Sequence, residues 1–166
     1  MLLRSRPLKS ALAVAALCAG MAVSATAHTE SPAGGPKPEH YVKYRQSVFT
    51  LIRWNFGPMV AVVKGQAPYD SARFAAQAAR VAALAPMIAE GFHPSTKGAK
   101  KTEAKDDIYA NPAEFNRLAK DLETASANLA RVAQGGNLEQ IKPAFMATGK
   151  ACGACHDKFK MEDHHD

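Results

Sequence analysis

The 166-residue sequence predicts an all-α fold, an antiparallel up-down bundle of four helices. Two patterns support this prediction. From Glu39 onward, alanine-rich segments with apolar residues at helical spacing recur, and β-branched runs with period-two alternation are absent. The four helical segments are joined mostly by short connections, which favours antiparallel neighbours.

The first helix is predicted from about Glu39 to Val63. Residues three and four positions apart form its apolar face: Tyr41, Tyr44, Val48, Leu51 and Ile52. Gly57-Pro58 is expected to kink this helix rather than end it, because the apolar pattern resumes over Met59 to Val63.

The second helix is predicted from Ser71 to about Glu90, after a turn over residues 65–69. The carboxylate of Asp70 can cap its start, and the segment Gly91-Phe92-His93-Pro94 is expected to end it. A polar connection over residues 95–107 follows, and it is longer than most connections in a compact bundle.

The third helix is predicted to begin at Asn111-Pro112-Ala113-Glu114, which places an N-cap, a proline at N1 and a glutamate at N3. It is expected to end at Gly135-Gly136. Asn137 can cap the fourth helix, which is predicted to reach about Met161. Pro143 lies in its first turns and leaves their conformation open.

The first 27 residues have the pattern of a secretory signal peptide. Three basic residues precede an apolar run over Ala11 to Val23: Arg4, Arg6 and Lys9. The small residues Ala25-Thr26-Ala27 supply a cleavage site, so the mature chain is expected to start near His28. The alternative is a retained N-terminal anchor, although the apolar run is short for a membrane span.

The rest of the chain divides into three predicted parts. Residues 28–38 form a flexible lead-in rich in Pro and Gly, residues 39–161 form the bundle, and residues 162–166 form a charged tail. Without the signal, 18 basic and 15 acidic residues remain, a net charge of +3. Basic residues do not form a stripe interleaved with aromatic residues, so nucleic-acid binding is not expected.

The segment Cys152-Gly153-Ala154-Cys155-His156 carries the predicted chemistry. Cys18 leaves with the signal, so the mature chain keeps only these two cysteines. Cys-x-x-Cys-His is the haem attachment motif of c-type cytochromes. On a helix, positions three and four apart share a face. Both sulfurs can therefore bond the haem vinyl groups while His156 reaches the iron, which predicts one covalent haem c.

Three other interpretations of the cysteine pair fit the sequence less well. A thioredoxin-like redox pair requires a βαβ context, which an all-α chain does not provide. A zinc site requires further ligands at suitable spacing, and His164 and His165 lie in the tail. A disulfide between helical residues three apart would be strained. Covalent haem is therefore the preferred interpretation.

The sixth ligand of the iron stays open at this point. The mature chain contains four methionines, Met59, Met87, Met146 and Met161, besides histidines at positions 28, 40, 93, 164 and 165. Met146 lies on the helix of the motif and Met161 just beyond it, so neither is expected to cross the ring. Met59 and Met87 have the pattern of core residues.

From about Glu39 to Lys160 the sequence resembles the class II cytochromes c, and the cytochrome c′ family in particular. In this chain, as in that family, the attachment motif lies near the C-terminus. The second match is in the first helix, Tyr44-Arg45-Gln46-Ser47-Val48-Phe49 followed by Asn55-Phe56-Gly57-Pro58-Met59. The resemblance implies a four-helix bundle with a covalent haem c.

The resemblance also implies roles for residues of the first helix. Arg45 would neutralise a haem propionate and Gln46 would donate a hydrogen bond to one; an exposed arginine is the alternative. Phe49 matches the position that covers the distal face of the haem, where low-spin relatives have a ligating methionine. Phenylalanine cannot ligate, so the resemblance implies five-coordinate, high-spin iron under an apolar lid. Without the resemblance, Phe49 would be a core residue.

A third match concerns the loop Thr102-Glu103-Ala104-Lys105, which resembles a loop near the haem edge in the family. This match places Glu103 near a propionate. The chain departs from the family after the motif, where Phe159-Lys160 replaces an aromatic residue followed by arginine. Lysine keeps the positive charge but lacks the planar guanidinium.

These observations predict a periplasmic haem protein that is not an enzyme. It would exchange single electrons with periplasmic redox proteins, bind nitric oxide or carbon monoxide at the open distal site, or do both. The alternative is a low-spin, six-coordinate electron carrier with a second ligand such as Met59. A peroxidase would need a distal acid–base residue, and the Phe49 stretch offers none. The family also implies a homodimer through the first two helices.

Overall fold

The structure, a computed structural model, describes residues 35–161. Four long helices form its main body: α1 (Pro38–Val63), α2 (Ser71–Leu84), α5 (Pro112–Ala133) and α6 (Leu138–Phe159). Their backbones pack closely in the pairs α1–α2, α2–α5 and α5–α6, whereas α1 and α6 approach much less closely. The predicted all-α four-helix bundle is confirmed. The most open of its four seams lies between α1 and α6, although the rings of Phe56 and Phe145 stack across it at 4.5 Å.

Helix α1 continues through Gly57 and Pro58 to Val63, so the prediction that this dipeptide does not end the helix is confirmed. The predicted second helix is wrong in its length. It divides into α2 and a short helix α3 (Met87–Glu90). Pro86 lies at the break, because proline has no N–H to donate to the preceding turn.

The start of α2 is capped as predicted, since the Asp70 carboxylate accepts a hydrogen bond of 3.0 Å from the backbone N–H of Arg73. The polar connection is not wholly irregular. It contains a 3₁₀ turn at Pro94–Thr96 and a short helix α4 (Asp107–Ala110).

The cap of α5 differs from the prediction. Asn111 occupies the N-cap position, but its side chain makes no cap; it donates to the carbonyl of Asp107 at 3.0 Å. The preceding helix α4 supplies that carbonyl. At the start of α6, Asn137 accepts hydrogen bonds from the N–H groups of Glu139 and Gln140, as predicted. This helix includes Pro143 and ends at Phe159.

Two apolar clusters fill the bundle, one at each end. The cysteine-end cluster has this buried core: Val48, Ala85, Ile88, Ile108, Phe115, Leu118, Leu122 and Phe159. The far-end cluster has this one: Met59, Phe74, Ala78, Leu129, Ala133, Ile141, Ala144 and Phe145. Successive long helices run in opposite directions between the two clusters, as an up-down bundle requires.

Within residues 35–161, none of the helices combines the length and the apolar character needed to cross a membrane. The predicted signal peptide, most of the predicted lead-in and the tail with His164 and His165 lie outside the described residues. The described part of the chain is therefore the predicted bundle with the last residues of its lead-in.

Candidate haem site

The attachment motif lies in the last turns of α6. Cys152 and Cys155 are half-buried and pack against the cysteine-end cluster, and His156 is exposed. Because these positions are three and four apart on a helix, the two thiols and the imidazole share a face. The structure thus brings together the three residues that sequence analysis assigned to the haem.

Burial raises the pKa of both thiols above the ordinary cysteine value, and the neighbouring Cys152 contributes to the shift at Cys155. A redox-active pair needs a lowered pKa, so this environment does not favour a thioredoxin-like role. Cys152 and Cys155 do not form a disulfide. Within residues 35–161, no three His, Cys, Asp or Glu side chains are grouped so as to hold a metal ion.

Helix α1 presents an apolar row at the open seam. Phe49, Ile52 and Phe56 are spaced three and four residues apart and share a helix face. Ile52 packs against the cysteine-end cluster. The Phe49 side chain is 36% exposed, so it is not a core residue, and its ring meets that of Phe92 edge-on at 6.4 Å. The row leaves a half-open apolar surface beside α6.

The methionines divide between the two ends of the bundle. Met59 is completely buried in the far-end cluster, whereas Met87 packs against the cysteine-end cluster. Of these two methionines, Met87 rather than Met59 lies at the same end as the thiols. Helical spacing marks both methionines as core residues but does not show at which end of the bundle each of them lies.

Arg45 is buried, with 2% of its surface exposed, so the alternative of an exposed arginine is wrong. Its guanidinium lies 4.5 Å from the centre of the Phe92 ring. Its hydrogen bonds, of 2.9 to 3.4 Å, go to neutral oxygens: Gly91 O, Thr96 Oγ1, Thr102 Oγ1 and Tyr109 OH. No carboxylate among residues 35–161 pairs with it. A buried cation without an anion is unfavourable.

Gly91 makes this arrangement possible, and sequence analysis used it only as a helix stop. A Cβ at Gly91 would lie 2.5 Å from the Cβ of Arg45. The end of α3 can therefore approach α1 closely enough for the Gly91 carbonyl to accept from Arg45 at 3.1 Å. In the sequence, Gly91 is a glycine directly after a predicted helix, and most glycines at such positions only end the helix. The sequence alone therefore does not indicate a close approach to α1.

Gln46 of α1 contacts the loop that follows Lys100, and Glu103 is part of that loop. The amide of Gln46 donates to the Lys101 carbonyl at 2.9 Å, and Lys101 has a positive φ of 59°. Glu103 lies 3.3 Å from the ammonium of Lys160, and its carbonyl accepts from the N–H of Met161 at 2.7 Å. This loop is thus held to α1 and to the end of α6. The roles of Gln46 and Glu103 beside a propionate stay predictions.

The described residues fit a haem. The two half-buried thiols offer attachment points on an apolar surface. The open seam between α1 and α6 separates Phe49 and Ile52 from the motif and can admit a flat apolar ring. The buried guanidinium of Arg45 has neutral partners only, which suits a group that brings carboxylates.

Comparisons with known proteins agree with this site. A model of the Cytochrome C′ family matches residues 40–160. The chain is 37% identical over 126 residues to cytochrome c′ of Alcaligenes xylosoxydans xylosoxydans, covering 76% of this chain and 97% of that protein.

Solved structures give the same result. Cytochrome c prime from Shewanella frigidimarina has a TM-score of 0.74 and 37% identity, covering 78% of this chain and 100% of that one. A nitric oxide complex of a mutant of cytochrome c prime from Alcaligenes xylosoxidans has a TM-score of 0.71 and 36% identity, covering 78% and 100% respectively. The matched part of the chain includes both the motif and the facing helix.

Proposed function

The chain belongs to the cytochrome c′ family, and we propose that it is a periplasmic protein that transfers single electrons and binds nitric oxide or carbon monoxide. Its cofactor is covalent haem c. The observation that carries the proposal is the half-buried pair Cys152 and Cys155 beside His156, facing the apolar row of α1 across the open seam. The nitric oxide complex of a relative supports the gas-binding part.

Each residue of the motif has a distinct task. Cys152 and Cys155 would hold the haem through two thioether bonds, and His156 would bind its iron. When bound, the haem would supply one-electron chemistry between the ferrous and ferric states and a binding place for a small gas. The rigid end of α6 holds the imidazole, since Phe159, one turn beyond Cys155, is buried in the cysteine-end cluster.

Phe49 covers the distal side of the haem. It has no atom that ligates iron, so we infer five-coordinate, high-spin iron. The neighbouring positions Ile52 and Phe56 are also apolar, so the row of Phe49, Ile52 and Phe56 offers neither a hydrogen-bond donor for bound dioxygen nor an acid–base residue for a peroxidase. Burial of Met59 in the far-end cluster disfavours the low-spin alternative with that ligand.

Arg45 acts as the counter-charge of a propionate in this proposal. Its guanidinium is already fixed by neighbouring oxygens, so it loses little conformational entropy when it meets a carboxylate. Gln46 and Glu103 are assigned to the same edge, where Gln46 donates a hydrogen bond and Lys160 offsets the charge of Glu103.

Absorption spectra of the ferric and ferrous protein, with and without carbon monoxide, test the proposal. A high-spin spectrum that shifts on addition of the gas is expected. Replacing Phe49 by Met should supply a sixth ligand and give a low-spin spectrum that carbon monoxide moves less. Phe56→Met is the matched control, since this ring stacks on Phe145 at 4.5 Å in the far-end cluster. A wild-type spectrum that is low-spin and insensitive to the gas would contradict the open site.

The periplasmic location follows from the predicted signal over residues 1–27 and from the chemistry of attachment after export. N-terminal sequencing of the haem-bearing protein from a periplasmic extract should begin near His28. A haem-bearing protein that retains Arg4 and the apolar run would contradict cleavage.

We also propose a homodimer through α1 and α2. Leu51, Trp54 and Pro58 form an exposed row on α1, with Trp54 78% exposed and Leu51 49% exposed. Burial of a row of this kind against a second copy is favourable. Trp54→Glu should lower the sedimentation coefficient to that of a monomer. Met146→Glu, at an exposed position of α6, should leave it unchanged; equal behaviour of the two variants would contradict this interface.

A further inference from the structure

Three hydroxyl groups contact the guanidinium of Arg45. Its Nη1 donates to the hydroxyl of Thr96 at 3.0 Å and to that of Tyr109 at 3.4 Å, and its Nη2 donates to the hydroxyl of Thr102 at 2.9 Å. We propose that Thr96 and Tyr109 are positioning residues of the haem site, whose hydroxyl groups fix the Arg45 cation and thereby raise the reduction potential of the haem. This inference rests on the proposed role of Arg45 beside a propionate.

The hydroxyl hydrogens of Thr96 and Tyr109 can be assigned by counting donors. Thr96 has one hydroxyl hydrogen, which it donates to the carbonyl oxygen of His93 at 2.7 Å. The contact between the hydroxyls of Thr96 and Tyr109 then requires the phenol hydrogen of Tyr109. Both hydroxyl oxygens therefore turn lone pairs, and not hydrogens, towards the guanidinium of Arg45. The hydrogen bonds form a directed chain from Arg45 through Tyr109 and Thr96 to the His93 carbonyl.

Burial makes these two oxygens important for the cation. Arg45 is 2% exposed and Thr96 is 1% exposed, so the protein supplies the polar contacts that water gives an exposed arginine. A buried charge is tolerated only where polar groups or an opposite charge surround it, because burial removes its hydration. Oriented hydroxyl groups of this kind hold the guanidinium in one place without neutralising its charge.

The long polar connection before α5 provides both hydroxyl groups. Thr96 ends the 3₁₀ turn at Pro94–Thr96, and Tyr109 lies in α4. Ile108, next to Tyr109, is 4% exposed in the cysteine-end cluster, which anchors α4 to the core. The connection therefore has a task that its unusual length alone does not reveal. It brings two oxygens to a cation of α1 and keeps that cation at a constant distance from the haem, where a positive charge favours the ferrous state.

Reduction potentials of the haem-loaded protein test this assignment. Thr96→Val and Tyr109→Phe each remove one hydroxyl with little change in shape. Each should lower the potential in the same direction as Arg45→Met does, but by less, because the cation stays while its position becomes less defined. Thr96→Ser keeps the hydroxyl and should bring the potential back close to that of the wild type.

Two matched controls remove a hydroxyl elsewhere. Ser126 has no exposed surface and donates to the Glu123 carbonyl at 3.1 Å, and Tyr69 donates to the Gly136 carbonyl at 3.1 Å. Ser126→Ala and Tyr69→Phe should leave the potential unchanged. A fall equal to that of Thr96→Val and Tyr109→Phe would overturn the inference, because any lost internal hydroxyl would then have the same effect.

A double-mutant cycle separates positioning from packing. In an Arg45→Met background, Thr96→Val and Tyr109→Phe should no longer change the potential, because the cation through which they act is gone. Equal shifts with and without Arg45 would overturn the inference, since the hydroxyls would then act directly or through packing. Thermal unfolding checks that each variant is folded. The half-buried Tyr109 provides the test if Thr96→Val does not fold.

The outcomes also distinguish this inference from the function on which it rests. If Arg45→Met leaves the potential unchanged, the role of Arg45 beside a propionate is wrong, and the positioning role falls with it. If Arg45→Met lowers the potential while Thr96→Val and Tyr109→Phe match the wild type, only the positioning role is wrong. Absorption spectra with carbon monoxide test the haem assignment independently of both results.

Discussion

The two ends of the bundle differ in the chemical groups that surround their buried cores. The core of the far-end cluster is 0 to 6% exposed, and its rings stack directly, as Phe56 does on Phe145. Half-buried side chains surround both cores, and at the cysteine end they include Ile52, Met87 and both cysteines. Arg45 adds a buried cation without an anion.

This difference shows where the chain depends on a cofactor. The far end has a well-packed apolar core, which provides stability without a cofactor. At the cysteine end, half-buried apolar side chains, two thiols and the buried cation of Arg45, which lies on Phe92, surround the same core. A flat apolar group with carboxylates would cover the apolar side chains, bond to the thiols and pair with the cation. We therefore infer that the cysteine end needs the haem to complete its packing.

The largest expected effect is the loss of a fully buried side chain at the far end. Leu129 has no exposed surface, so Leu129→Ala should reduce the free energy of unfolding by roughly 2–5 kcal/mol. The absorption spectrum should stay unchanged, because Leu129 lies in the far-end cluster. Denaturant unfolding and visible spectra measure the two quantities.

Ile52→Ala is the matched variant at the cysteine end. Ile52 is half-buried, so Ile52→Ala should reduce the free energy of unfolding by less than Leu129→Ala does. Because Ile52 lies at the cysteine end, this variant should also change the carbon monoxide affinity or the absorption spectrum. A reversed pattern, in which Leu129→Ala moves the spectrum and Ile52→Ala does not, would contradict the division between the two ends.

The next largest effect concerns the approach of α3 to α1. Gly91→Ala would place a methyl group 2.5 Å from the Cβ of Arg45 and close to its backbone, so the two segments must separate. We expect a loss of about 1–3 kcal/mol in unfolding free energy. Gly57→Ala is the control, since a Cβ there meets nothing within 4 Å and alanine favours a helix. Equal destabilisation by both substitutions would contradict the steric cause.

The elements of the fold were predictable where local chemistry decides. Asp70 and Asn137 cap helices in the positions that their sequence contexts indicate. Pro86 ends α2 by the same local chemistry, although the apolar pattern continues past it and favours one longer helix. Asn111 shows the limit of local reasoning, since its side chain prefers a carbonyl of α4, a helix not anticipated in a polar segment.

The candidate site was predictable only in part. The motif identifies Cys152, Cys155 and His156 because their spacing is the chemical requirement itself. Burial of Arg45 depends on Gly91 and Thr96, which are about fifty residues away along the chain, so helical spacing alone could not reveal it. The open seam also arises from tertiary packing of α1 and α6.

A moderate effect is expected when the buried cation is removed. Arg45→Met should lower the melting temperature of the haem-loaded protein, because a propionate would lose its counter-charge. It should also lower the reduction potential, since loss of a nearby positive charge favours the ferric state. Redox titration and thermal unfolding check both. Arg53→Met, which neutralises an exposed arginine, is the control; an equal fall in potential would mean that Arg45 acts only through net charge.

The smallest effect concerns a surface contact at the cysteine end. Hydrogen bonds from Arg117, and further from Lys158 of α6, lower the pKa of Glu114 from 4.5 to about 2. Because the folded state favours the carboxylate, this contribution to stability is complete above pH 4.5 and is lost as the pH falls towards 2. Glu114→Gln should therefore lower the melting temperature slightly near neutral pH and match the wild type near pH 2. A difference that persists in acid would mean that Glu114 contributes through packing rather than charge.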